Sequence, residues 1–376
     1  MSSNASNPLL SRYTRLATIL QSAGLDALVL NPCPSLTYLT GLHFHLSERP
    51  VVAIFVPEAP TLLVLPDLET LKGEGLPFQV KLFPYGEDPA TWQAAFRAAF
   101  QAAGLETGQV GIEPGHLRIL ELRLLEAAAP HLNFISAEEA LSNLRIQKDA
   151  QELNLMRKAA DVAQRALQAT LPQVKIGITE AELASELTLI LLRHGSDPVF
   201  AFPPIISFGP NTANPHAFPS ERKLAAGDLL LFDWGATYQG YASDITRTFA
   251  IGKVETELAQ IAQIVKQANA AARALAAPGV AAGDIDLAAR QVIEQAGYGK
   301  FFTHRTGHGL GMEIHEPPYI RSGSSFFLQL GMTFTIEPGI YLPGRGGVRV
   351  EDDCVITADG IETMTSLPRE LIVLEL

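Results

Sequence analysis

The sequence predicts two domains of different class: an α/β domain, a mixed sheet with helices, over residues 1–140, and an α+β domain with a pseudo-twofold repeat over residues 141–376. Three observations predict this. The first third alternates helical spacing with short Val/Ile/Leu runs bounded by Pro, Gly or Asp. The texture changes between Ile135 and Lys148, where a long helical spacing begins. Beyond it, two stretches about a hundred residues apart each read helix, helix, acidic hairpin, an architectural repeat with no matching residue identities.

In chain order, Leu16, Ile19 and Leu20 give Tyr13–Ala23 one apolar helical face, and Gly24 stops it. Asp26–Leu30, Val51–Pro57, Thr61–Pro66 and Gln109–Glu113 are short apolar runs that suit strands of a mixed sheet. Gly111 to Gly115 lacks the spacing of a phosphate loop. From Asp149, Leu153, Met156, Ala160, Ala163 and Leu167 share a helical face, and helical stretches continue to His194. A strand and hairpin follow at Leu229–Ile251. Helices return from Thr256 to Ala296, with Leu258, Ile261, Val265, Ala268 and Ala272 on one face, Asp284 as an N-cap and Gly297 as a stop. A second strand and hairpin occupy Met332–Ile356.

Composition narrows the function classes. Of 376 residues, 47% are apolar and 18% charged, so a sizeable core is available and disorder is not expected. A formal net charge of −12 argues against nucleic acid or an anionic membrane as partner. Cys33 and Cys354 are far apart and form no CxxC pair, which suits a reducing, cytoplasmic compartment. The start, Met1–Ser6, is polar without a signal pattern, and no apolar run approaches the ~18 residues of a membrane span.

The hairpins carry acids inside apolar strands. Asp233 ends the run Leu229–Phe232, and Asp244 lies in the alternating stretch Tyr241–Ile251. A two-residue turn at Tyr238–Gln239 would set Asp233 directly opposite Asp244, although Tyr-Gln is not a favoured turn pair. Glu337 and Glu351 face one another across the turn Pro343–Gly346, with Pro338 disturbing the ladder beside Glu337. A single acid is usually exposed. Two carboxylate pairs repel unless cations lie between them, and they offer hard oxygen ligands for two divalent ions.

Of nine histidines, His216, His304, His308 and His315 are informative. Three fall in Thr303-His-Arg-Thr-Gly-His-Gly-Leu-Gly-Met-Glu-Ile-His-Glu-Pro, which is not HExxH and so indicates no mononuclear zincin. Gly307 and Gly309 flank His308 and allow close backbone approach, making His308 the best histidine ligand. His216 lies in a loop just before the first acidic strand.

These residues carry a family resemblance. Asp233, Asp244 within Ser-Asp-Ile-Thr-Arg-Thr-Phe, Gly-His308-Gly-Leu-Gly, Ile-Glu337-Pro-Gly and Arg349-Val-Glu351-Asp together resemble the pita-bread metallopeptidases, which include methionine aminopeptidase, aminopeptidase P and prolidase. Asn31-Pro-Cys-Pro-Ser-Leu-Thr-Tyr-Leu-Thr-Gly41 resembles the creatinase-type domain that precedes the catalytic domain in prolidase and aminopeptidase P. Methionine aminopeptidases lack that domain, and creatinase lacks the metals.

The resemblance implies a pita-bread catalytic domain over residues 141–376 and two divalent ions per chain, manganese first and cobalt or zinc as alternatives. It implies Asp233 on one ion, His308 with Glu337 on the other, and Asp244 and Glu351 bridging both. A hydroxide shared by the ions would attack the scissile carbonyl, and Glu337 would shuttle the proton. His216 and His315 would polarise the carbonyl, His304 would line the substrate pocket, and Arg349 would orient a bridging carboxylate.

The implied substrate is a small peptide with proline second, cleaved as an Xaa-Pro dipeptide, with Arg321 as a candidate for the proline carboxylate. Aminopeptidase P action on longer peptides is the first rival, and an inactive peptide-binding module on the same fold is the second. A homodimer is expected, with the 41–49 loop a candidate for reaching the partner's active site.

Overall fold

The computed structural model describes residues 8–376; the polar start Met1–Ser6 lies outside the described residues. Contacts divide the chain into two units, residues 1–145 and 146–376.

In the first unit, β1 (Ala27–Leu30), β2 (Val52–Phe55), β3 (Thr61–Pro66), β4 (Val80–Tyr85), β5 (Gly108–Ile112) and β6 (Leu132–Ser136) form one sheet in the order β4-β3-β2-β1-β5-β6. β1 pairs antiparallel with β2 and parallel with β5, so the sheet is mixed. β1, β2 and β3 are buried along their whole length, which is why they read as unbroken apolar runs. The helices are α1 (Pro8–Ser22), α2 (Pro34–Thr40), α3 (Pro89–Ala103), α4 (Ile119–Ala128) and α5 (Glu138–Arg145). Phe96 and Phe100 of α3 and Leu125 of α4 pack on Val29, Ile54 and Val110 of the sheet.

The second unit repeats one plan. α6 (Ala150–Thr170) starts at a capping box of Asp149 and Glu152 and packs with α7 (Glu180–Arg193). This pair covers β7 (Ile205–Phe208), β8 (Leu229–Trp234) and β11 (Ile245–Ile251), with Val162, Leu167 and Leu187 against Phe232 and Trp234. The short ribbon β9 (Thr237–Tyr238) and β10 (Tyr241–Ala242) carries the turn.

In the other half, α8 (Thr256–Leu275) and α9 (Ala282–Gln295) pack together over β12 (Gly307–Gly309), β13 (Glu316–Ile320), β14 (Thr333–Ile336), β17 (Asp352–Thr357) and β18 (Gly360–Thr363). Ile261, Val265, Ile285 and Ile293 meet Phe334 and Ile336 there. β15 (Gly339–Leu342) and β16 (Gly346–Arg349) form the second ribbon, and β19 (Ile372–Leu374) returns to pair with β11. A bridge between Thr246 and Glu351 joins the halves.

Two local expectations are corrected. α9 begins at Ala282, so Asp284 is not the cap; it lies in the first turn, where its charge complements the helix dipole. The first hairpin turns at Gln239–Gly240, both at positive φ (49° and 80°), the conformation that suits a two-residue hairpin. Asp233 therefore faces Thr246 rather than Asp244. The slip is two residues, so Asp244 stays on the face of Asp233 as a diagonal neighbour. In the second hairpin, Gly339 faces Arg349 and Ile336 faces Asp352, the register that puts Glu337 opposite Glu351.

Candidate metal centre

The two hairpins bring their acids to one pocket of about 580 Å³, lined by Asp233, Asp244, His308, Glu337 and Glu351. One ligand atom from each of Asp244, His308 and Glu351 lies within 4.8 Å of the others. His216, His304, His315 and Arg349 line the same pocket.

Each acid is held by its own local structure. Asp244 sits between β10 and β11, where its backbone N–H is free of the ladder and donates to both carboxylate oxygens of Asp353 at 3.1 Å. Glu351 donates its N–H to the Thr246 carbonyl at 3.2 Å and accepts the Thr246 hydroxyl at Oε2, 2.6 Å. Arg247 spans the same junction, donating to the Thr246 and Glu351 carbonyls and to the Asp352 carboxylate. Asp233 accepts from the Arg349 guanidinium at Oδ2 only.

The electrostatics fit a divalent centre. Asp233 Oδ1 is buried and has no hydrogen-bond partner among the described residues. Burial raises the pKa of Asp244 and Glu351 well above the carboxylate range, and neighbouring acids raise it further. Burial lifts Glu337 to about 7 against the pull of Arg349. A cation among these groups removes that penalty.

His308 donates Nδ1–H to the Gly309 carbonyl at 3.1 Å. That leaves the Nε2 lone pair 3.4 Å from Glu337 Oε1 and 3.6 Å from Asp244 Oδ2. Burial, then His315, holds the His308 pKa well below the usual value, so these approaches are not ion pairs. A lone pair facing two carboxylates suits a shared metal ion, with the Gly309 carbonyl setting the tautomer.

A second chain of bonds runs from the acids into the pocket wall. Arg349 donates to Asp233, to Thr246 Oγ1 at 3.0 Å and to the Tyr341 hydroxyl at 2.9 Å. Tyr341 meets His304 Nε2 at 2.8 Å, and His304 Nδ1 meets the Arg305 carbonyl at 2.7 Å. Arginine only donates and a carbonyl only accepts, so Tyr341 O–H donates to Nε2 and His304 Nδ1–H donates to Arg305. Both His304 nitrogens are thereby engaged, and His304 meets the pocket with its ring alone. His315 packs its ring edge-to-face on His308, centroids 4.2 Å apart.

Arg321 does not line this pocket; it is exposed and donates to the Ser322 carbonyl. Arg305 lines it instead. The Arg305 guanidinium lies 4.6 Å from the centre of the Tyr319 ring and has no hydrogen bond or ion pair to a described residue. Sequence reasoning missed Arg305, although it sits between His304 and Thr306 in the histidine-rich motif. It also missed Tyr341 and the apolar wall of Phe202, Ile205 and Ile314, which no motif spacing marks.

Comparison with known proteins gives one consistent picture. Residues 154–358 match metallopeptidase family M24, and residues 12–147 match the creatinase/prolidase N-terminal domain. The chain is 32% identical to an Xaa-Pro dipeptidase of Lactobacillus delbrueckii subsp. lactis, over 96% of this chain and 98% of that one. Among solved structures it resembles a dipeptidase from Pyrococcus horikoshii OT3, with TM-score 0.91 and 36% identity over 96% of this chain and 100% of that one. It resembles the prolidase of Thermococcus sibiricus equally well, with TM-score 0.92 and 33% identity over 98% and 100%.

Proposed function

The chain belongs to metallopeptidase family M24, with a creatinase/prolidase N-terminal domain ahead of the catalytic one, and from that premise we propose that it is an Xaa-Pro dipeptidase using two divalent ions. The observation that carries the reading is the composition of one pocket: four carboxylates and a neutral histidine beside Arg305, whose guanidinium has no hydrogen bond or ion pair to a described residue. Asp233, Asp244, His308, Glu337 and Glu351 would hold the ions, with Asp244 and Glu351 as the candidates for sharing them. Manganese is the first choice, with cobalt or zinc as alternatives, since carboxylates with one imidazole suit several ions. Ions bound there supply Lewis acidity and an activated water.

The protein's own groups do the rest. Glu337 takes a proton from the attacking water and returns it to the leaving proline nitrogen. His216 and His315 donate to the carbonyl oxygen as charge develops on it. Arg349 keeps Asp233 oriented and, through Thr246, supports Glu351. Arg305, in place of Arg321, receives the proline carboxylate by a charge-assisted pair. Phe202, Ile205 and Ile314 favour an apolar first residue. Proline has no N–H and a fixed ring, so the free ends of a dipeptide must do the positioning. We place the enzyme in the cytoplasm as a homodimer; both cysteines are free, in keeping with a reducing compartment.

The test is paired hydrolysis of Xaa-Pro and Xaa-Pro-Pro by metal-stripped protein, with and without added manganese, cobalt or zinc. Metal-dependent cleavage of the dipeptide alone is expected. Preference for the tripeptide moves the assignment to aminopeptidase P, and no cleavage with any ion leaves a binding module.

A further inference from the structure

The loop that carries His216 is tied down by a buried acid remote from the metal ligands in sequence. Glu180 is the first residue of α7, fully buried. It has no ion-pair partner among the described residues. Its carboxylate is satisfied by donors from both ends of residues 208–220. From one end, Phe208 N–H donates at 2.7 Å and the Asn211 amide at 3.0 and 3.1 Å. From the other, Ser220 donates its N–H at 3.0 Å and also its hydroxyl. The N-terminal end of α7 further favours the negative charge.

Between these anchors the chain makes the excursion that presents His216 to the pocket. Thr212 accepts the Gly347 N–H at 2.7 Å, and the Pro215 carbonyl accepts from Arg349 at 3.4 Å. Asn214 Oδ1 accepts the His216 N–H at 3.2 Å. The ring of His216 itself is exposed and makes no hydrogen bond to a described residue, so only the backbone determines where it points.

We propose that Glu180 is a positioning residue for catalysis, acting through His216 by closing both ends of its loop on one carboxylate. A loop closed at its base loses little further entropy when His216 engages the transition state, and small misplacements of such a donor are costly in rate. The inference rests on the proposed role of His216, and the test separates the two.

The experiment is a double-mutant cycle on the metal-loaded enzyme with an Xaa-Pro dipeptide. Glu180→Gln keeps the shape but turns an NH₂ donor toward donors. It is expected to lower kcat about tenfold at unchanged metal content. In a His216→Ala background, itself about 10²-fold or more slower, the same change should cost less than about twofold. Ser220→Ala, which removes one donor and leaves no buried charge bare, should show the same non-additivity on a smaller scale, and it serves if Glu180→Gln does not fold. Equal losses in both backgrounds, or an unchanged kcat for both loop variants, overturn the positioning role while leaving His216 catalytic. An unchanged kcat for His216→Ala removes His216 from the reaction and the inference with it.

Discussion

Asp244 and Glu351 do at the residue scale what a surface acid cannot. Asp244 is held through its backbone N–H and Glu351 through both its backbone N–H and its carboxylate, and each is buried among like charges. Ionised together they repel, and cations shared between them would offset that repulsion. Asp244→Ala and Glu351→Ala are each expected to abolish dipeptide turnover, and near-normal activity for either at saturating metal would sink the bridging assignment. His304 makes a different, pH-dependent contribution. Burial lowers its pKa to about 4 from the usual 6.5. As pH falls, the unfolded chain takes up the proton first, so the contribution is complete above 6.5 and is lost as pH falls through about 4. His304→Gln should flatten this limb, removing about 2 kcal/mol of the stability difference between about pH 7 and about pH 5. Urea titration of both proteins at the two pH values measures it.

At the scale of elements, the site depends on strands that approach more closely than side chains permit. A Cβ on Gly307 would lie 1.8 Å from the Thr335 carbonyl oxygen, so β12 can lie against β14 only without one. Gly307→Ala should cost about 4 kcal/mol or more, by the mechanism of overpacking against rigid backbone. It should also weaken metal binding, because His308 is the next residue. Thermal melting and metal titration of this variant check both effects; an unchanged melting temperature would mean that β12 has slack. Both hairpins turn through positive-φ residues, Gln239 and Gly240 in the first and Gly344 in the second, and the second ladder resumes on both sides of Pro338.

For the whole molecule, the proposed ligands come from both halves of the pseudo-twofold repeat: Asp233 and Asp244 from one, His308, Glu337 and Glu351 from the other. Ions bound between them would stabilise the native state over the unfolded one, by about 2.7 kcal/mol at a free concentration one hundred times the dissociation constant. Chelation should therefore lower the melting temperature of the wild-type protein, and added manganese should restore it. The shift should vanish in Asp244→Ala. A melting temperature indifferent to chelator in the wild type would mean that the ions are absent or contribute nothing to joining the halves.

Local signals in the sequence determined most of the architecture. Unbroken apolar runs marked β1, β2 and β3, because strands buried on both faces need no alternation. The helical spacing that begins at Asp149 marked α6, and the acids within apolar strands marked the candidate metal centre. These features are encoded in neighbouring residues, where spacing is a physical constraint. Only the tertiary structure decided the first hairpin's register, since the turn fell on Gln239–Gly240 through a left-handed conformation that glutamine seldom adopts. It alone put Arg305 rather than Arg321 in the pocket wall, and engaged one nitrogen of His304 with Tyr341 and the other with the Arg305 carbonyl. It alone joined Glu180 to Ser220, forty positions apart. Such pairings depend on which side chains the packed halves turn toward one space, and no spacing along the chain records that.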